Sequence, residues 1–146
     1  ADGTRDPTFG SAGIVTTDVA GGLDSAHALL RTAGGKLLVA GSAFTGLFTD
    51  LALLRYEASG ALDAGFGSGG VAAVAIGFDA AVARALAIQG DGRLLAAGSA
   101  DFFTQGDEVA LARFTAAGAL DAAFDGDGIL TPSLTNGDDA AHAVAL

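Results

Sequence analysis

The chain repeats itself, and the period of the repeat limits what it can fold into more than any other feature. The segment around Phe9 returns around Phe66 and Phe124, at separations of 57 and 58 positions. A second block, residues 35–42, returns at residues 92–99. A period of this length indicates one supersecondary unit stacked on copies of itself. We therefore divide the chain into repeat 1 (residues 1–61), repeat 2 (residues 62–119) and a partial repeat 3 (residues 120–146).

Each repeat has the pattern of four short strands between turns. In repeat 1 the strands are expected over residues 14–19, 26–32, 36–42 and 51–56, each bounded by Gly, Asp or Ser. Glycines between the second and third strands can adopt the positive φ that a tight hairpin requires. The prediction is an all-β chain of tandem four-stranded antiparallel units with about ten strands.

One segment is ambiguous between strand and helix. Residues 80–87 are rich in Ala and Leu, which favour a helix by propensity. In both complete repeats, however, this position leads through a short Gly turn into an apolar run, as a β-hairpin would. We expect a strand here, with a helix as the alternative.

The recurring residues resemble the delta-60 repeat family. Its Leu-Asp-x-x-Phe-Gly motif matches residues 62–67, and its Arg-Tyr motif matches residues 55–56. The resemblance implies a β-propeller-like unit, so that the tandem units form a β-propeller-like or open blade array. Units of this family are found mostly in exported bacterial proteins, with no enzymatic activity attached. The chain departs from the family pattern at Arg5, at Asp125 and at Gly34-Gly35.

Composition excludes several classes of partner. A net charge of −10, from 7 basic and 17 acidic residues, would repel a nucleic acid backbone. No apolar run reaches the roughly 18 residues of a membrane span. The chain has no Cys, so it forms neither disulfides nor thiolate zinc sites. We expect no cofactor, and Ca²⁺ is the one metal ion for which the sequence offers a candidate site.

A secreted or cell-surface location is expected. The start at Ala1 would suit a mature end left by a signal peptidase. A single Lys beside six Arg, with abundant Ala and Gly, is typical of a GC-rich bacterial genome.

Two features that resemble a cofactor-binding motif and a catalytic base are better explained as positions of the repeat. Residues 65–70 satisfy G-x-G-x-x-G, but a turn precedes them and a β-rich run follows, whereas a dinucleotide site needs a strand before and a helix after. His27 and His142 occupy one repeat position, which in repeat 2 is Arg84. A catalytic base would not alternate with Arg, so we expect solvent-facing strand positions.

An Asp-rich turn in the third repeat is a candidate Ca²⁺ site. Asp121, Asp125 and Asp127 offer alternating carboxylates, which Ca²⁺ favours. Repeats 1 and 2 lack counterparts of Asp125 and Asp127, so turn formation is the competing explanation.

Structural roles are predicted for the residues that recur. Arg55 and Arg113 are charges inside apolar strands, and Asp63 and Asp121 of the following turns are their expected partners, with a solvent-reaching Arg as the alternative. Core positions are expected for four phenylalanines: Phe9, Phe66, Phe124 and Phe78.

The best candidates for ligand contact are aromatic side chains in the connection between the third and fourth strands. Residues 44–48 and 101–105 differ most between the two repeats, and specificity is usually placed in such loops. The side chains concerned are Phe44, Phe48, Phe102 and Phe103.

The sequence favours a non-enzymatic structural or assembly module over two alternatives. The module would associate with further copies of itself, as a ring or a filament, or with the rest of a longer chain. The first alternative is a cell-surface propeller that binds a ligand, with carbohydrate as one class. An enzyme ranks third, because no nucleophile, base and orienting group can be assembled outside the repeat positions.

Overall fold

The computed structural model describes residues 2–103, 106–134 and 137–146, and over these residues the chain is all-β. It contains eight strands in two antiparallel four-stranded sheets. Sheet 1 consists of β1 (Ser25–Arg31), β2 (Leu37–Phe44), β3 (Thr49–Tyr56) and β4 (Val71–Val74). Sheet 2 consists of β5 (Ala81–Ile88), β6 (Leu94–Asp101), β7 (Asp107–Phe114) and β8 (Ile129–Leu130). This confirms the predicted fold class and decides the ambiguous segment for strand.

The hairpins form where the glycines predict them. Gly35 and Gly92 have φ values of 85° and 86°, which L side chains rarely adopt. Both sheets also carry a bulge in their first strand, opposite a second glycine, at Gly41 and Gly98. A Cβ atom on either glycine would lie 1.8 Å from a carbonyl oxygen of the first strand, so only glycine fits there.

Each sheet combines two sequence repeats. The first three strands of sheet 1 come from one repeat, and β4 comes from the start of the next. The boundaries at residues 62 and 120 therefore lie inside a sheet, between its third and fourth strands. By equivalence, residues 14–17 correspond to β4 and residues 139–146 correspond to β5.

The expectation of ten strands was wrong, since the described residues form eight. Residues 14–19 make no strand; Ile14 only bridges Gly10 and Ser11, because no third strand of a preceding sheet lies beside this segment in the described residues. Residues 139–146 form no strand either. In β8 the pairing stops after Leu130, because Pro132 stands where β4 has Val74 and lacks the N–H that a ladder needs.

The core lies between the two sheets. Sheet 1 contributes Leu38, Ala40, Leu51 and Leu53, which are at most 1% exposed. Sheet 2 faces them with Leu94, Ala96, Ala110, Ala112 and Phe114, and all nine side chains belong to one buried cluster. Successive residues of a strand point to opposite faces, so each sheet also has an outer face, turned away from this core.

Candidate functional site

Arg55 joins the two sheets at one end of the core. Its Nε donates to Asp63 Oδ2 at 2.5 Å, and its Nη1 donates at 2.5 Å to the carbonyl of Ala116, which follows β7 of sheet 2. The guanidinium carbon lies 4.6 Å from the centre of the Phe66 ring, within the range of a cation–π contact. Gly67 N donates to the carbonyl of Ala117 beside it. One side chain thus connects its own turn, a buried ring and the neighbouring sheet.

Two cations share the Asp63 carboxylate. Lys36 Nζ lies 2.7 Å from Asp63 Oδ2, and Arg55 Nε contacts the same oxygen. The hydrogen bond from Lys36, with that from Arg55, lowers the pKa of Asp63 from its ordinary 3.8 to about 2. The carboxylate therefore stays ionised in the folded chain under mildly acidic conditions.

This pKa shift predicts how stability falls in acid. A carboxyl whose pKa is lower in the folded chain stabilises it fully above the unfolded value near 3.8, and the contribution is lost as the pH falls towards 2. We expect the thermal midpoint of the wild-type chain to drop over this interval, and Asp63→Asn to show a shallower drop. Equal slopes in calorimetric scans between pH 4 and pH 2 would contradict this assignment.

The same cluster recurs one repeat later, but without a neighbouring sheet. Arg113 Nε contacts Asp121 Oδ2 at 2.8 Å, and the Arg113 guanidinium lies 4.9 Å from the Phe124 ring centre. Arg93 takes the place of Lys36 beside Asp121. Phe66 is 0% exposed, whereas Phe124 is only half-buried. Phe66 is covered by Gly118 in the turn that follows β7, and the described residues place no such glycine over Phe124.

The N-terminal segment partly reproduces this junction on the other side of the molecule. Gly10 N donates to the carbonyl of Ser59, as Gly67 N does to that of Ala117. The Phe9 ring lies against Gly60, as the Phe66 ring lies against Gly118, and Phe9 is half-buried. Thr17 adds a hydrogen bond of 2.7 Å to the Tyr56 hydroxyl. Residues 9–17 therefore occupy on sheet 1 the place that the segment from Phe66 to β4 occupies on sheet 2.

The outer faces of both sheets are apolar and only partly covered. On sheet 1 a cavity of about 300 Å³ opens between the sheet and the N-terminal segment. Leu29, Leu37, Val39 and Leu54 line it, and Leu29 is 61% exposed. On sheet 2 the outer positions Leu95, Val109 and Leu111 are partly exposed, whereas Ala97 and Ser99 on the same face are buried. The apolar residues at successive positions of these strands indicate two apolar faces, but they do not indicate which face is buried between the sheets.

Two of the three carboxylates proposed for Ca²⁺, those of Asp121 and Asp127, have other contacts. Asp121 is held by Arg113 and Arg93, and Asp127 Oδ1 accepts a hydrogen bond from the backbone N–H of Ile129. Asp125 has a φ of 51°, a turn conformation. No three acidic or histidine side chains converge on a metal site within residues 2–103, 106–134 and 137–146.

The four phenylalanines proposed for ligand contact differ in exposure. Phe103 is 81% exposed, Phe48 is 48% exposed, Phe44 packs beside Gly22, and Phe102 is half-buried against the core. Thr104 and Gln105, also in the predicted ligand loop, lie outside the described residues.

Phe78 was wrongly expected in the core. It is 61% exposed, because residues 75–80 form the connection between the two sheets and not a strand. Its ring makes edge-to-face contacts with Phe102 and Phe103, at centroid distances of 6.4 and 6.1 Å. Phe78, Phe102 and Phe103 form an aromatic cluster at one loop end of sheet 2.

The histidines do not build a catalytic arrangement with their neighbours. His27 is exposed at the bulge of β1, and Arg84 occupies the bulge of β5. Asp24 accepts hydrogen bonds from the backbone N–H groups of Val19 and Phe44. His142 is also exposed.

Comparison with known families supports a β-propeller-like repeat. A family model described as a β-propeller domain of unknown function (DUF5122) matches residues 35–66 and 89–124. Each matched segment begins at the turn before the second strand of a sheet. It ends at the phenylalanine whose ring contacts the arginine guanidinium, Phe66 for Arg55 and Phe124 for Arg113. No curated protein matches the chain. Within the described residues there is no helix long and apolar enough to cross a membrane.

Proposed function

We propose that the chain is a non-enzymatic structural module of an exported bacterial repeat protein, and that it associates through its sheet faces with further blades of the same kind. The observation that carries this proposal is the equivalence between the outer and inner faces. Leu37, Val39 and Leu54 are the counterparts of Leu94, Ala96 and Ala112, which are buried between the sheets. Leu95 and Leu111 are likewise the counterparts of the buried Leu38 and Leu53.

The free energy of burial favours covering these faces. Burying apolar surface contributes roughly 25 cal/mol per Å², and sheet 1 offers Leu29, which is 61% exposed, beside the half-buried Val39 and Leu54 on the adjacent strands. Only 16% of the residues are charged, so few side chains on this surface oppose association. The resemblance of the repeat supports the exported location, which belongs to the same proposal.

Sedimentation of the purified chain at micromolar concentration tests the proposal. We expect particles larger than the 14.1 kDa monomer. The matched control carries Leu54→Glu and Leu111→Glu, which place one charge on each outer face without touching the core, and it should sediment as a monomer. A stable, well-folded wild-type monomer would refute the proposal.

A second candidate function is ligand binding at the aromatic cluster. Exposed phenylalanines that contact one another are rarely left on a surface without a partner. Carbohydrate is the ligand class proposed, since sugar rings stack on exposed aromatic faces. A glycan array probed with the wild-type chain and with Phe103→Ala decides between this function and a purely structural one, because only a binding site would lose signal in the variant.

A further inference from the structure

We infer that two copies of the chain dock head to tail, with the outer face of sheet 2 on the outer face of sheet 1, in the geometry that the two sheets adopt within one chain. The inference rests on the proposed function and specifies its interface. The template is the buried interface between sheet 1 and sheet 2. It joins a face that bears Leu38 and Leu53 to a face that bears Leu94 and Ala112.

The two outer faces offer the same two surfaces again. The outer face of sheet 2 bears Leu95 and Leu111, the counterparts of Leu38 and Leu53. The outer face of sheet 1 bears Leu37 and Leu54, the counterparts of Leu94 and Ala112. Every copy therefore carries one face of each kind that no second sheet covers. A docking of unlike faces is heterologous, so it continues from copy to copy until a ring closes or a filament grows.

Arg113 is the polar contact that this docking would complete. Within the chain, Arg55 uses Nε for Asp63 and Nη1 for the carbonyl of Ala116. Arg113 uses Nε for Asp121, and in the described residues its Nη atoms have no equivalent carbonyl. Ala58 holds in sheet 1 the place that Ala116 holds in sheet 2. Arg113 of one copy therefore donates to the Ala58 carbonyl of the second copy.

The N-terminal segment occupies part of the docking site. Phe9 lies against Gly60 and Gly10 N donates to Ser59, where Phe124 and Asp125 of the incoming copy would be placed. Residues 9–17 form no strand and are held on sheet 1 by few hydrogen bonds. They must move aside for docking, and the tail from residue 139, which lies along β6 through Ala141 N and the Gly98 carbonyl, must do the same.

Mixing two single-face variants tests the inference. Leu54→Glu blocks the outer face of sheet 1, and Leu111→Glu blocks the outer face of sheet 2. Neither variant alone should assemble, since each lacks one member of every docking pair. An equimolar mixture should sediment as a one-to-one pair, because each variant keeps the face that the other needs. Formation of the pair also shows that both variants are folded.

Arg113→Lys introduced into the Leu54→Glu variant refines the test. The lysine keeps the charge but cannot reach both Asp121 and a second carbonyl, so pairing should weaken about tenfold, the loss of roughly one charged hydrogen bond. Unchanged affinity would overturn the role assigned to Arg113.

The outcomes separate this inference from the proposed function. If the wild-type chain stays monomeric, both fail. If the wild-type chain assembles but the mixed variants do not pair, only the head-to-tail arrangement fails. If one variant alone still assembles fully, like faces associate and the inference is likewise overturned.

Discussion

Replacing Phe66 with alanine is expected to destabilise the chain by roughly 3–5 kcal/mol, the range for a fully buried aromatic side chain. Phe66 is 0% exposed, and its ring lies between the Arg55 guanidinium and Gly118, in the turn that follows β7 of the opposite sheet. Its removal leaves a cavity at the junction of the sheets and takes away the cation–π contact of Arg55. Urea denaturation measures the loss directly.

Phe124→Ala provides the matched control for this prediction. Phe124 occupies the same repeat position under Arg113 but is only half-buried, so its removal should cost about 1–2 kcal/mol in the monomer. The comparison belongs in the Leu54→Glu, Leu111→Glu background, where docking cannot bury Phe124. Equal losses for the two substitutions would show that burial by sheet 2 is not what distinguishes Phe66.

Gly98→Ala is expected to destabilise the chain by about 3 kcal/mol or more, because overpacking at this point involves backbone. A Cβ atom at Gly98 would lie 1.8 Å from the carbonyl oxygen of Val82, closer than any real contact. Neither atom belongs to a flexible side chain, so β5 and β6 would have to separate at the bulge. Gly41 stands in the same relation to Ser25 in sheet 1.

Gly90→Ala is the control for the backbone clash. Gly90 lies in the hairpin of the same two strands, and a Cβ atom there would have no other atom within 4 Å beyond its chain neighbours. The substitution should change stability by less than about 0.5 kcal/mol. If Gly98→Ala behaved like Gly90→Ala in thermal denaturation, the bulge would not be the close backbone approach described above.

The sequence predicted the strands and hairpins well where the same pattern occurs in both complete repeats. Gly35 and Gly92 fixed the hairpins, and the equivalence of the two copies favoured a strand at β5 against its helix propensity. Pairing between strands was less predictable. Residues 14–17 have the same pattern as β4 but form no strand. A strand needs a second strand to pair with, and its own sequence does not specify that partner.

The junction between the sheets could be foreseen only in part. The spacing of Arg55 and Asp63 indicated a pair, and the structure places Nε and Oδ2 in contact. The second contact of Arg55 is to a backbone carbonyl. Every residue has such a group, so the sequence does not indicate which carbonyl Arg55 contacts. Phe78 has no counterpart in the other repeats, so periodicity gave no indication that it is exposed.

We propose that the outer faces of the two sheets pack against further sheets in the same way as the inner faces pack against each other. Electron microscopy of the assembled wild-type particles tests this most directly. We expect an uninterrupted series of four-stranded sheets, in which the rotation from sheet 2 of one chain to sheet 1 of the next equals the rotation within a chain. Particles joined through strand edges or through the aromatic cluster, with the outer faces still open to solvent, would contradict it.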